Sequence, residues 1–366
     1  MKILLIDDLS DKGWKSILEL AVTKEKGSID SASTIEDAYL KLNNKYDLIF
    51  LDMRLSEEDH KVKNVEDYSG FTLLKHIKKE FASINFSTPI ILFTASTKIW
   101  NIDKFKEYGV DSFYIKEHPD HIYSKDFSKE NLKNLQKSFI KLMETNKRRY
   151  LIWSKCIEII DLLDTHKYFK IEDKRLQNVK QRILDKLKLG YGLLFSNQNY
   201  MEKKIFQYDK ESISFIIYFS ILEEISKAYT DISFTWDQRY RRSTNWKFKN
   251  GEYFIEYIEN DICKVNFKNK SESIDFETSE FIYFENRLIP LSDQIYSLIY
   301  AYTKEKDYYL ISDFKKLNEF RNKSDYTHSD VQCIFTLNLI TNIKTNNSFQ
   351  KIFEMLEFIN SILKLN

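Results

Sequence analysis

The chain has 366 residues, 30% of them charged, with a formal net charge of +1, so no whole-chain field marks it as a nucleic-acid or membrane-surface binder and any such footprint is local. Its three cysteines, Cys156, Cys263 and Cys333, are too few and too widely spaced for a disulfide framework or a metal motif, and no apolar stretch reaches the length of a membrane span. With a strand rather than a signal peptide at its start, the chain reads as a soluble, cytoplasmic protein of two or three domains.

In chain order, Lys2–Ile6 reads as a strand, residues 13–22 as a helix, Ser28–Ala32 as a second strand and residues 34–42 as a helix capped by Ser33 or Thr34. Residues 47–51 form a third strand, 70–80 a helix, 89–93 a fourth strand, 103–108 a short helix stopped by Gly109, and 112–115 a fifth strand. Repeated strand–helix units of this size predict a doubly wound, five-stranded parallel sheet with helices on both faces. Each short apolar run ends in a polar residue: Asp7 and Asp8, Asp52, Thr94 and Lys116. Open α/β sheets gather their chemistry at the carboxyl ends of their strands, so these side chains converge in one crevice. Three clustered carboxylates repel and call for a cation; oxygen ligands suit Mg²⁺, which keeps waters and accepts phosphate oxygens. Asp52 is then a competent nucleophile toward a phosphoryl group, Lys116 pairs with a phosphoryl oxygen, and Thr94 hydrogen-bonds to another.

The stretches KILLIDD (2–8), LIFLDMRL (48–55), SGFTLLKHIKK (69–79), PIILFTAS (89–96) and GVDSFYIKE (109–117) resemble the CheY-like receiver domain of bacterial response regulators. The resemblance implies Asp52 as phosphoacceptor from a sensor histidine kinase or phosphotransfer protein, with Mg²⁺ held by Asp7, Asp8, Asp52 and the backbone carbonyl of Arg54. It also implies Thr94 and Phe113 as the switch pair, with an inward Phe113 easy to occupy, and Lys116 as the conserved lysine. Two departures stand out. Glu117 follows the lysine where the family has a proline after a cis bond, and a non-proline cis bond costs about 2.5–4 kcal/mol. The charged stretch RLSEEDHKVKNVEDYS (54–69) is about ten residues longer than in ordinary receivers, an insertion of small entropic cost. It reads either as a gate beside Asp52 or as a solvated loop, with His60 at its surface.

From these readings the receiver occupies residues 1–125, a helical connector 126–165, and a mainly helical output domain 166–366 with a small β insertion near 234–288. Leu132, Leu135, Phe139 and Leu142 make one helical stripe in the connector, renewed by Ile152, Cys156, Ile159 and Leu163; it predicts either homodimer contact or packing on the second domain. Residues 173–229 read as largely helical, with 215–228 as a core helix. EYFIEYIE, ICKVNF, IDFE and FIYFEN between 251 and 288 read as hairpins, followed by helices at 291–302, 312–321, 331–343 (capped by Asp330) and 349–363.

No helix-turn-helix, Walker or zinc motif occurs in the second domain. In NEFRNKSDYTH (318–328), Arg321 and His328 lie about two helical turns apart, a cation and a proton carrier suited to metal-independent RNA cleavage; a salt bridge from Arg321 to Asp325 is the structural alternative. The segment resembles the Arg-x(4–6)-His motif of HEPN domains, with Asn322 as the polar residue that often follows the arginine. That resemblance implies a dimeric ribonuclease site or a non-catalytic protein–protein interaction module. DQRYRRSTNWKFKN (237–250) interleaves Arg239, Arg241 and Arg242 with Trp246, a pattern suited to RNA contact and equally to a solvated hairpin.

Overall fold

The computed structural model describes residues 1–23, 27–95, 99–116, 125–170, 173–195, 210–235, 243–248, 253–258, 262–267, 270–276, 291–303, 308–322 and 347–365. The chain divides into two compact units, residues 1–153 with 195–203, and residues 154–194 with 204–366. Among the described residues no helix is long and apolar enough to cross a membrane.

In the first unit, strands β1 (Lys2–Ile6), β2 (Ser28–Ala32), β3 (Leu48–Leu51), β4 (Ile90–Thr94) and β5 (Ser112–Ile115) form one sheet in the order β2-β1-β3-β4-β5. Every pairing is parallel, and the continuous apolar runs of β1, β3 and β4 are buried on both faces, as inner strands of such a sheet are. Successive side chains point to opposite faces. Leu4, Ile6, Ile49, Leu51 and Leu92 pack against α2 (Ile35–Lys41), α3 (Ser69–Lys79) and α4 (Ile99–Glu107) through Ala38, Phe71, Leu74, Ile77 and Phe105. Ile3, Leu5, Phe50, Ile91 and Phe93 form the other core with Leu18 of α1 (Lys15–Leu18) and with α5 (Lys125–Thr165). A register slip of one residue would exchange the two faces.

Several local expectations hold. Thr34 caps α2 by accepting the Asp37 N–H at 3.2 Å, and Gly109, at φ +101°, ends α4 in the left-handed region. The first helix differs: α1 has only four residues, flanked by π-helical turns at Ser10–Trp14 and Glu19–Thr23.

The connector stripe is corrected in its first half. Leu135, Phe139 and Leu142 are buried in the core of the first unit, with Leu132 packed beside them. The Leu132–Leu142 half of the stripe is thus already covered by the sheet, while Cys156, Ile159 and Leu163 of its renewed half are buried within the second unit, as the alternative of packing on that domain expects. Further along α5 the same side is fastened by polar contacts. Asn146 Nδ2 donates to the Asp47 carbonyl at 2.9 Å, Trp153 Nε1 donates to the Phe81 carbonyl at 2.7 Å, and the Arg149 guanidinium pairs with Asp111 at 2.5 Å. Asp47 and Asp111 precede β3 and β5, so these bonds lie at the amino ends of the strands.

In the second unit, α6 (Lys174–Phe195), α7 (Lys210–Phe219), α8 (Ile221–Tyr229), α9 (Leu291–Thr303), α10 (Tyr308–Asn322) and α11 (Asn347–Leu363) surround an apolar core with Phe215, Phe219 and Phe314 at 2% exposure or less. The helix expected over 215–228 is broken at Ser220, whose hydroxyl donates to the Ile217 carbonyl. Five antiparallel strands, β6 (Thr230–Thr235), β7 (Ser243–Phe248), β8 (Tyr253–Ile258), β9 (Ile262–Phe267) and β10 (Lys270–Phe276), form a meander. Three of them are the expected hairpin segments. β6 is an additional strand, while β7 lies within the expected β insertion and contains Trp246 of the basic aromatic segment, for which a hairpin was one of the two readings. Arg239, Arg241 and Arg242, FIYFEN and the helix expected at 331–343 lie outside the described residues.

The Asp111–Arg149 pair is nearly solvent-free, at 2% and 7% side-chain exposure. Burial alone would raise the Asp111 pKa, but Arg149, and to a lesser degree Lys78, hold it below the ordinary value. A depressed carboxylate contributes stability above its unfolded pKa and loses it as pH falls through the folded one. Asp111→Ala would strand a buried cation, costing about 3–5 kcal/mol. Urea unfolding at neutral pH should show this loss, with the gap to wild type closing below about pH 4; a variant as stable as wild type at neutral pH would contradict it.

Candidate functional site

Hydrogen bonds that continue the sheet beyond its strands involve the ends of all five strands at one edge. The Asp7 N–H donates to the Ala32 carbonyl at 3.0 Å, the Asp52 N–H to the Ile6 carbonyl at 2.9 Å, and the Lys116 N–H to the Thr94 carbonyl at 2.7 Å. With β1 between β2 and β3, and β4 between β3 and β5, the residues after β1, β3 and β5 then converge. The Lys116 ammonium reaches Asp7 Oδ2 at 2.9 Å and also bonds Asp52 Oδ2. Asp7 is fully buried, Asp52 is 7% exposed and Lys116 6%.

The carboxylates of Asp7, Asp8 and Asp52 each offer an oxygen within 4.8 Å of the others. Asp7 and Asp52 are buried while Asp8 is exposed, so the group opens to solvent on one side. Asp7 Oδ1 also accepts the Leu9 N–H at 2.8 Å, which fixes its carboxyl plane. Burial raises the Asp52 pKa to about 7; Lys116 works against that rise, and the charges of Asp7 and Asp8 add to it. Asp7 is raised by burial too, again opposed by Lys116. Burial would lower the Lys116 pKa, yet Asp52 and Asp7 together keep it above the ordinary value. Three carboxylates facing an ammonium leave negative charge uncompensated. An all-oxygen, partly buried donor set of this kind fits a hard divalent cation.

Thr94 ends β4, 2% exposed. Phe113 does not occupy the inward position: it is 41% exposed, with the Lys106 ammonium 5.0 Å from its ring centroid. The buried ring of β5 is Tyr114, stacked on Phe93 at 5.3 Å. β5 is an edge strand of the sheet, and its alternation turns Phe113 outward. Glu117 lies outside the described residues.

The Arg54 guanidinium donates to the Tyr68 hydroxyl at 3.2 Å and to His60 Nδ1 at 3.3 Å, so His60 is an exposed partner of Arg54 and lies outside the carboxylate group. The long stretch after Asp52 is folded, with 3₁₀ turns at Glu57–His60 and Val65–Asp67. Two residues in and beside it were not singled out from sequence. Asp59 is 4% exposed and accepts several hydrogen bonds; its signal was the Ser56-x-x-Asp59 spacing of a capping box. Gly70 donates to the Met53 carbonyl at 3.2 Å, and a Cβ there would collide with the Asp52 carbonyl and lie 2.7 Å from that of Met53.

In the second unit Arg321 is half-buried, its guanidinium 4.9 Å from the Phe219 ring centroid, and burial lowers its pKa. Asn322 is exposed. His328 and Asp325 lie outside the described residues, so the predicted Arg–His pair and its salt-bridge alternative both fall there.

Among known proteins, no family model and no curated protein matches this chain. Solved structures similar to part of it include a two-component response regulator from Clostridium difficile (28% identity, 37% of this chain and 96% of that one, TM-score 0.27). Others are the non-phosphorylated HemR receiver domain from Leptospira biflexa (28%, 38% and 93%, TM-score 0.27) and a CheY-like receiver domain protein from Methanospirillum hungatei JF-1 (19%, 38% and 96%, TM-score 0.27). These likenesses are to receiver domains and cover less than two fifths of this chain, while the HEPN resemblance gains no support.

The charge imbalance predicts a stability signature. At pH 8 in chelator, Asp52→Asn removes one of the crowded carboxylates and should stabilise the protein by roughly 0.5–2 kcal/mol. Millimolar Mg²⁺ should raise the Tm of wild type more than that of Asp52→Asn. Equal Mg²⁺ shifts in the two proteins would contradict a cation site that uses Asp52.

Proposed function

We propose that the amino-terminal unit is a phosphoacceptor receiver in a two-component pathway, with Asp52 as the acceptor. The observation that carries this reading is the meeting of Asp7, Asp8, Asp52 and Lys116 at the carboxyl edge of a parallel sheet. Asp7, Asp8 and Asp52, with the Arg54 carbonyl, would hold Mg²⁺, which when bound supplies charge neutralisation at the phosphoryl oxygens. An Asp52 carboxylate oxygen attacks phosphorus. The bond from phosphorus to the donor, a histidine nitrogen of a kinase or phosphotransfer protein, breaks, and the imidazole leaves with that electron pair. Lys116 exchanges its bond to Asp52 for one to a phosphoryl oxygen, and the Thr94 hydroxyl donates to another. The new charge beside Lys116 and Thr94 then favours a different packing of β4, β5 and α4, a shift between two populations. Movement of Phe113 from its outward position would report that shift.

The second unit is the output controlled by this state. Arg321 lies against the core ring of Phe219, which favours a non-catalytic module that binds a partner protein over an RNA endonuclease using Arg321 and His328. The favoured reading expects no RNA cleavage by the purified, phosphorylated chain. Cleavage that disappears in Arg321→Ala and His328→Ala would reverse that choice.

For the receiver, Asp52→Ala should abolish Mg²⁺-dependent labelling by radioactive acetyl phosphate. Lys116→Ala should still bind Mg²⁺ but label at least tenfold more slowly, given the usual size of charge-stabilisation effects, roughly 10²–10³-fold. Aspartyl labelling that persists in Asp52→Ala would defeat the assignment.

A further inference from the structure

We propose that Asp59 is a positioning residue for the acidic site, closing the β3–α3 loop so that the chain after Asp52 and the start of α3 are held in one arrangement. The proposal rests on the reading of Asp7, Asp8 and Asp52 as a cation site. Asp59 stands outside that carboxylate group and binds backbone from both ends of the loop. Its Oδ2 accepts the Leu55 N–H at 3.0 Å and the Ser56 N–H at 3.2 Å, while its Oδ1 accepts the Ser69 N–H at 3.0 Å. The Ser69 hydroxyl donates to Oδ2 as well and accepts the Leu55 N–H at 2.8 Å. Both loop ends are therefore clamped on one carboxylate that is 4% exposed.

The clamp reaches the site through Gly70, next to Ser69. A Cβ at position 70 would collide with the Asp52 carbonyl, and the Gly70 N–H donates to the Met53 carbonyl. The first turn of α3 thus rides directly on the backbone of Asp52 and Met53, and a displacement of Ser69 is passed to it without slack. The outer part of the loop is held more weakly. Glu66 pairs with Lys104 of α4 at 3.0 Å and Lys75 of α3 at 3.9 Å, between side chains at least 36% exposed, and such pairs contribute little. Asp59 is what lets an enlarged loop leave and rejoin the sheet edge without loosening it.

The test is calorimetric titration of the full chain with Mg²⁺ alone. Asp59→Ala should weaken Mg²⁺ binding by about 10–100-fold, as removal of groups that orient metal ligands does. Asp59→Asn should lose less, since its remaining oxygen can still accept from Leu55. Ile77→Val, which thins the core under α3 without touching the loop, should keep wild-type affinity, separating positioning from general destabilisation. If Asp59→Ala fails to fold, Ser69→Ala carries the test and should show a smaller loss in the same direction. Wild-type affinity in the tested variant, or an equal loss in Ile77→Val, overturns the role of Asp59. A wild-type chain that takes up no Mg²⁺ defeats the acidic-site reading itself, a distinguishable result.

Discussion

The Lys116 ammonium bridges two buried carboxylates that come from different strands, and the carboxyl edge of the first unit is arranged around that contact. At an effective dielectric of about 20, unit charges 4 Å apart interact by about 4 kcal/mol, enough to offset part of the cost of burying Asp7 and Asp52 together. It does not balance them, because Asp8 adds a third carboxylate to the same group. The edge therefore keeps negative charge on one side, of the kind a hard divalent cation would relieve. Strand order makes this geometry possible: β4 lies between β3 and β5, so Lys116 reaches past Phe93 toward Asp52, with its ammonium 5.3 Å from that ring.

Both ends of the sheet are fastened by groups outside the apolar core. At the amino ends of the strands, Asn146, Arg149 and Trp153 of α5 bond to chain segments preceding β3, β5 and β4 respectively. At the carboxyl ends, Asp59 gathers the β3–α3 loop. A sheet tied at both ends favours discrete rearrangement over gradual deformation. The parts with less burial are outward Phe113 on β5 and the exposed Glu66–Lys104 pair between the loop and α4.

The parallel sheet was legible because β1, β3 and β4 are short apolar runs buried on both faces and each ends in a polar residue. That same punctuation made Asp7, Asp52, Thr94 and Lys116 readable as a group. Phe113 stands outward in this structure, a state that its spacing from Lys116 neither predicts nor excludes. The stripe at Leu132–Leu142 was correctly seen as helical, but periodicity does not name the surface that covers it; the sheet does. The Asp111–Arg149 pair joins residues far apart in sequence and leaves no local signature. β6 was missed because TDISFT mixes polar and aromatic residues, whereas β7 falls within the expected β insertion, in a segment that suited a hairpin as well as RNA contact. In the second unit, chemistry was hardest to read: spacing offered Arg321 either His328 or Asp325 as a partner, and its place over Phe219, which spacing does not reveal, gives it a packing role.

The central claim is that Asp52 carries a phosphoryl group in this acidic crevice. Its most direct test is to phosphorylate the wild-type chain with acetyl phosphate and Mg²⁺, reduce the acyl phosphate with borohydride and map the altered residue by mass spectrometry. The account predicts homoserine at position 52 and no modification when Mg²⁺ is chelated. Modification at another aspartate, or none at any, would contradict it.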